Sequence, residues 1–139
     1  MTVLKKYFSV TEAEALIPEL TRIMSGVLSA YGEVQRVRAE LREEQRRIMI
    51  SGGALVAVDW PDRAARLEAL TGELQESLTA IVKLGGAPKD LKIGLVDFPF
   101  LLEREEVNLC WRFGEKKIRF WHGLDEGFAG RKPIPEGLT

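Results

Sequence analysis

Apolar residues recur three and four positions apart through the first part of the chain: Ala13, Leu16, Ile17, Leu20, Ile23, Met24, Val27, Leu28, Tyr31, Val34 and Leu41. This is the period of a helix and not of a strand. Thr11 and Glu14 have the spacing of a capping box, so one long helix is predicted over 11–50, stopped by Ser51-Gly52-Gly53. Pro18 interrupts its hydrogen bonding and is expected to bend it one turn in. The apolar stripe covers about half the helix circumference, wider than a two-stranded seam requires. The helix should therefore touch more than one neighbour. Arg38 and Gln45 fall on the stripe and are read as snorkelling or meeting glutamates such as Glu73.

The connector around Leu55, Val56 and Val58 alternates enough to lie along the helices. Asp59, Trp60 and Pro61 form a helix start, a capping acid followed by a proline in the first turn. The second helix is predicted over 60–85, with Leu67, Leu70, Leu74, Leu78 and Ile81 on its stripe, ending at Gly85-Gly86-Ala87-Pro88. Two such helices pack antiparallel. At roughly 1.5 Å per residue the first overhangs the second by about 20–25 Å. That overhang, Thr11 to about Val27, is apolar and needs cover.

From residue 92 the period changes to two. Ile93–Leu102, Val107–Phe113 and Lys117–His122 alternate as strands do, with short polar turns at Glu103–Glu106 and Gly114–Lys116. An antiparallel three-stranded meander over 92–122 follows, with the middle segment central and Pro99 on an outer strand. Two-residue turns at Arg104-Glu105 and Gly114-Glu115 would set Phe98 opposite Trp111, Asp97 opposite Arg112, Trp111 opposite Ile118 and Leu109 opposite Phe120. One face (Phe98, Leu109, Trp111, Ile118, Phe120, His122) is then apolar and suits the overhanging helix. Asp97, Cys110, Arg112, Arg119 and Trp121 take the other face. Residues 123–139 are rich in glycine and proline, and are read as an irregular tail anchored by Phe128 and Ile134. The predicted class is α+β: a single domain, 1–139, made of a long helical hairpin, a small meander and a wrapping tail.

Composition narrows the function classes. With 139 residues and a net charge of −1, the chain is long enough for its own core. It carries no basic block for nucleic acid or an anionic membrane. A single cysteine makes no internal bridge, so a reducing compartment, the cytoplasm, is expected. No stretch has the pattern of a signal peptide or a membrane span.

Candidate chemistry concentrates between Lys89 and Arg131, which hold the only cysteine, the only histidine and every tryptophan but Trp60. Cys110 and His122 are the pair that invites a nucleophile–base reading, but the predicted register puts them on opposite faces. His122 alone is read as bonded to backbone. As a metal ligand it would need Asp125, Glu126 or Glu115, and no recognised ligand spacing is present, so no metal or cofactor is assigned. Cys110 is read as an inert small residue, with a thiolate favoured by Arg112 and Arg119 as the sharper alternative. Asp97, Arg112 and Arg119 form a cross-strand ion-pair ladder on the plain reading. On the sharper one they line an anion pocket, with Arg131 as a further guanidinium and Trp121 as a stacking wall.

K-D-L-K-I-G-L-V-D-F-P (Lys89 to Pro99), L-C-W-R-F-G-E (Leu109 to Glu115), F-W-H (Phe120 to His122) and G-F-A-G-R-K-P (Gly127 to Pro133) together carry a likeness. In this order they resemble an uncharacterised prokaryotic family known only as a domain of unknown function. The likeness extends over the whole chain, including the helical start around Ala15 to Leu20. It implies a short stand-alone bacterial or archaeal protein, and it transfers no activity, cofactor or functional residue. Two readings follow. The first is a non-enzymatic interaction or assembly module, homodimeric through leftover apolar helix surface. The second is a protein binding a small anionic ligand, or an enzyme acting on one, at a site between the polar sheet face and the tail.

Overall fold

The computed structural model describes residues 6–52 and 60–138; the connector read at Leu55–Val58 and the capping Asp59 lie outside the described residues. A short helix, α1 (Val10–Ala15), precedes the long helix α2 (Ile17–Ile50) and its partner α3 (Trp60–Leu84). Five antiparallel strands follow in simple order, β1 (Ala87–Asp90), β2 (Leu95–Leu102), β3 (Glu105–Arg112), β4 (Phe120–His122) and β5 (Lys132–Pro133). The class is α+β as expected, with two more strands than the alternation revealed. Both extra strands are too short and too proline-rich to show a period of two.

The start of the helical half differs from expectation in two ways. The capping box is Ser9 with Glu12, not Thr11 with Glu14: the Ser9 hydroxyl accepts from Glu12 N, and the Glu12 carboxylate accepts from Ser9 N, both at 3.0 Å. Glu14 turns inward instead and accepts the Ile118 amide at 3.0 Å, tying α1 to the loop before β4. Pro18 does not bend one continuous helix. It occupies the first turn of α2, where a missing N–H costs nothing, and Leu16 joins the two helices. Arg38 and Gln45 are exposed, so the real apolar stripe is narrower than the wheel implied.

The expected overhang is covered as its pattern requires. Leu20, Ile23, Met24 and Val27 of α2 share one core with Ile81 of α3 and with Val96, Phe98, Leu109 and Trp111 of the sheet. Each fully buried side chain of this kind contributes about 1.5–3 kcal/mol relative to exposure. Farther out, Val34, Val37 and Leu70 make a second, smaller core between the helices. Gly85, at φ +101°, ends α3, and a β-carbon there would strike the Phe8 ring. Phe8 itself donates its amide to the Pro99 carbonyl at 2.7 Å.

Pro99 is therefore not on an edge strand, because β2 lies between β1 and β3. It is tolerated because β1 stops short. The β1–β2 pairing ends at Ala87 opposite Asp97, and beyond it Pro99 points its backbone outward toward Phe8.

The register settles the faces. The β2–β3 hairpin turns on Glu103 and Arg104, both at positive φ (52° and 70°), one position earlier than predicted. Pairing moves by two residues: Phe98 faces Leu109, Val96 faces Trp111 and Asp97 faces Cys110. A shift of two preserves the faces. The β3–β4 connection is a different case. It is a wide loop and not a two-residue turn, and it pairs Leu109 with Trp121, Cys110 with Phe120 and Asn108 with His122. This is an odd shift, and an odd shift reverses β4. Phe120 and His122 lie on the face of Cys110 and Asp97, while Trp121 packs toward the core beside Leu109. Trp111 and Phe120 are thus on opposite faces, contrary to the predicted ribbon. The sheet nevertheless sits on α2, since β2 and β3 supply most of its apolar face.

The loop is held open by its own contacts. The Trp111 indole donates to the Glu115 carbonyl at 2.9 Å, and the Glu115 carboxylate accepts the Arg112 amide at 2.7 Å. Ile118 is buried in the core from within this loop. The tail then returns along the outer side: β5 pairs with β4 through Phe120–Pro133 and Trp121–Lys132, and Ile134 donates to the Arg119 carbonyl at 2.9 Å.

Candidate functional site

The outer face of β2, β3 and β4 brings together Asp97, Cys110 and His122. Asp97 and Cys110 are direct cross-strand partners, and His122 stands diagonally across on β4 because of the reversed register. All three are buried, with 3%, 1% and 3% exposure, and one ligand-capable atom from each lies within 4.8 Å of the others. The cysteine–histidine proximity argued against from the alternation is therefore present, with a carboxylate added.

Hydrogen bonding defines the protonation of the histidine. Nδ1 lies 2.8 Å from the Gly123 carbonyl, which only accepts, so Nδ1 carries a proton. Nε2 lies 3.0 Å from Asp97 Oδ1. That bond also needs one proton, carried by the imidazolium or by the carboxylic acid. In either form the pair is neutral overall. A buried pair of this kind is costly to break, because either partner alone is left unsatisfied.

Cys110 does not become a ready thiolate. Burial, with the Asp97 carboxylate adding to it, pushes its thiol up to about 11, and the opposing pull of Arg131 is too weak to reverse this. The cations expected to activate it, Arg112 and Arg119, are exposed instead, and the Asp97–Arg112–Arg119 ladder does not form. Arg112 reaches over the Phe128 ring at 5.5 Å. Trp121 offers no stacking wall to this face: it packs on the core side under the Lys132 ammonium, 4.7 Å from the ring centroid. Asp125 is exposed in the loop beyond β4.

Arg131 is the one predicted guanidinium that comes inward. It is held between the Phe120 and Phe128 rings, at 4.3 and 5.0 Å, and donates to the Cys110 carbonyl at 2.9 Å and to Glu115 at 2.6 Å. Its charge is thus neutralised by Glu115, and its work is to pin the tail against β3.

A cleft of about 280 Å³ opens beside the pair, lined by Lys89, Asn108, Asp97, His122, Leu124 and Phe128, with Asp90 and Glu126 at its margin. A second depression on the same side of the sheet shares Lys89, Asp97, Asn108 and Leu124 with it. The marginal acids are already engaged. Asp90 accepts the amides of Lys92 and Ile93, and Glu126 accepts the Gly123 amide and the Lys132 ammonium. Sequence reasoning missed Lys89 and Asn108. It had one usable signal for Asp97, a single carboxylate inside an otherwise apolar run, Leu95–Leu102. Such a group is buried and needs a partner.

Residues 6–134 match the model of DUF2203, described as an uncharacterized conserved protein. The chain belongs to that family. No curated protein and no solved structure matches it. Among the described residues no helix is long and apolar enough to cross a membrane.

Proposed function

We propose that this protein binds a small polar ligand in the cleft between the outer sheet face and the tail, and that the Asp97–His122 pair exchanges a proton with it. The observation that carries this reading is the buried pair in the lining of the cleft, with His122 Nε2 and Asp97 Oδ1 3.0 Å apart. A dry, oriented carboxylate–imidazole pair reached from solvent is the arrangement that general acid–base chemistry uses. The cation suited to an anionic group on the ligand is Lys89, with the Asn108 amide beside it, since Arg131 is spent on Glu115. A reduced Cys110 fits a cytoplasmic setting.

Amide NMR spectra recorded with acetate, oxalate and inorganic phosphate test the reading. At least one anion should shift the signals of Lys89 and Asn108 and raise the melting temperature by mass action. Lys89→Met should abolish both effects. If none of the three anions perturbs this side of the sheet, the anion-binding cleft is lost.

A second reading, assembly through the helices, is favoured by one observation. Met49 and Ile50 are 74% and 72% exposed at the last turn of α2. Sedimentation of the wild type and of a Met49→Glu, Ile50→Glu double variant decides it. A dimer that dissociates in the variant supports the reading, and a monomer at every concentration removes it.

A further inference from the structure

We propose that Asp97, Cys110 and His122 form a three-ligand site for a borderline-soft divalent metal ion, best suited by Zn2+, with its fourth position turned to the cleft. It rests on the cleft reading only for the occupant of that fourth position; in the loaded site the ion takes the place of the proton shared by Asp97 and His122.

The three ligand atoms lie within 4.8 Å of one another. In a tetrahedral site with bonds of about 2.0–2.3 Å the ligand atoms are roughly 3.3–3.8 Å apart. Closing a 4.8 Å separation to this range takes about 1–1.5 Å, shared between two side chains, and the 3.0 Å contact from Nε2 to Oδ1 needs only to relax slightly.

The histidine is already oriented for the task. Its Nδ1–H is anchored on the Gly123 carbonyl, which leaves Nε2 as the coordinating nitrogen. A backbone carbonyl on the far ring nitrogen is the usual outer support of a metal-bound imidazole.

The ligand set selects the ion. A thiolate and an imidazole disfavour Mg2+ and Ca2+, which take oxygen ligands. One sulfur, one nitrogen and one oxygen suit Zn2+ and its neighbours in the first transition row. Three protein ligands with an open position describe a catalytic zinc site and not a closed structural one.

Charge and protons balance. Binding displaces two protons to solvent, one from the Cys110 thiol and one from the Asp97–His122 bond. A thiolate and a carboxylate then neutralise the dication, so the loaded site is uncharged in dry surroundings. Arg131 adds no net repulsion, because Glu115 holds it at 2.6 Å. A buried Asp–His hydrogen bond satisfies its two partners without help. The sulfur at the third corner is what a metal site uses and a structural pair does not.

The test uses the full chain, stripped with chelator and titrated with Co2+ as a spectroscopic stand-in. A single ion per chain should give a thiolate-to-cobalt charge-transfer band and the intense visible bands of four-coordination, both bleached by Zn2+. Cys110→Ser should lose the charge-transfer band, and its zinc affinity measured by calorimetry should fall about tenfold or more. The wild-type spectrum needs no variant, so a misfolded mutant cannot obscure the result. Weak six-coordinate bands without charge transfer, or zinc affinity unchanged in both Cys110→Ser and Asp97→Asn, overturn the proposal.

The anion titration repeated on stripped and zinc-loaded protein separates this proposal from the cleft reading. Anions that shift Lys89 and Asn108 in a protein that ignores Zn2+ sink the metal site and leave the cleft. Zinc bound with charge transfer, but no anion bound in either form, upholds the metal site and removes the cleft reading.

Discussion

The two faces of the central sheet are both buried at their middle and chemically opposite there. Inward, Val96, Phe98, Leu109 and Trp111 are fully buried against α2 and α3. Outward, Asp97, Cys110 and His122 are almost as inaccessible, under a cover of only Phe120, Arg131, Phe128 and a few tail residues. Apolar burial stabilises in proportion to area, whereas buried polar groups roughly break even once they find partners. The inner face thus explains why the chain folds. The outer face adds little to that, and its composition is the ground for the ligand and metal sites proposed above.

The contrast can be broken most forcefully from the inside. Trp111→Ala removes the largest core side chain together with its indole bond to the Glu115 carbonyl, and should destabilise by about 3–5 kcal/mol in urea unfolding. A loss under about 1 kcal/mol would mean that the inner face is not the organising core.

The outer face should reveal itself through alkaline pH. Cys110 holds its proton to about 11, while an unfolded thiol titrates near ~8.5. Below the lower value both states are protonated and the contribution is complete. Between the two the unfolded chain releases its proton first, so stability falls as pH rises, by on the order of 3 kcal/mol. Cys110→Ala should lack this share of the alkaline decline. Identical slopes for wild type and variant would show that the thiol is not held protonated.

The smallest effect belongs to the cover. Phe128→Ala removes the ring over Arg131 and Arg112 and should lower stability by only about 0.5–1 kcal/mol in the same unfolding measurement. A loss as large as that of Trp111→Ala would make the tail part of the core and erase the distinction between the faces.

The helical hairpin and the apolar faces of β2 and β3 were legible because their periods are long and unambiguous. Leu20, Met24 and Val27 repeat at helical spacing, and Val96, Phe98, Leu109 and Trp111 at strand spacing, so each pattern admits one orientation. The segment Lys117–His122 admits two. Phe120 and Trp121 are adjacent aromatics, and either can face the core. Deciding between them by assuming a tight turn at Gly114 put His122 on the wrong face and hid the site. β1 and β5 were unreadable for another reason: strands of four and two residues carry no period.

The amino-acid order by itself determined the α+β class, the antiparallel helices and the burial of the overhang, because these follow from local periodicity and from apolar surface that must be covered. Tertiary structure alone decided the parity of β4. Glu115 is drawn to Arg131, the Trp111 indole to the Glu115 carbonyl and Ile118 to Glu14, and together they open a wide loop where a tight turn was expected. Those partners lie up to 104 residues apart in the chain. Whether His122 meets Asp97 and Cys110 depends on that loop, since one residue more or less sends every side chain of a strand to the other side.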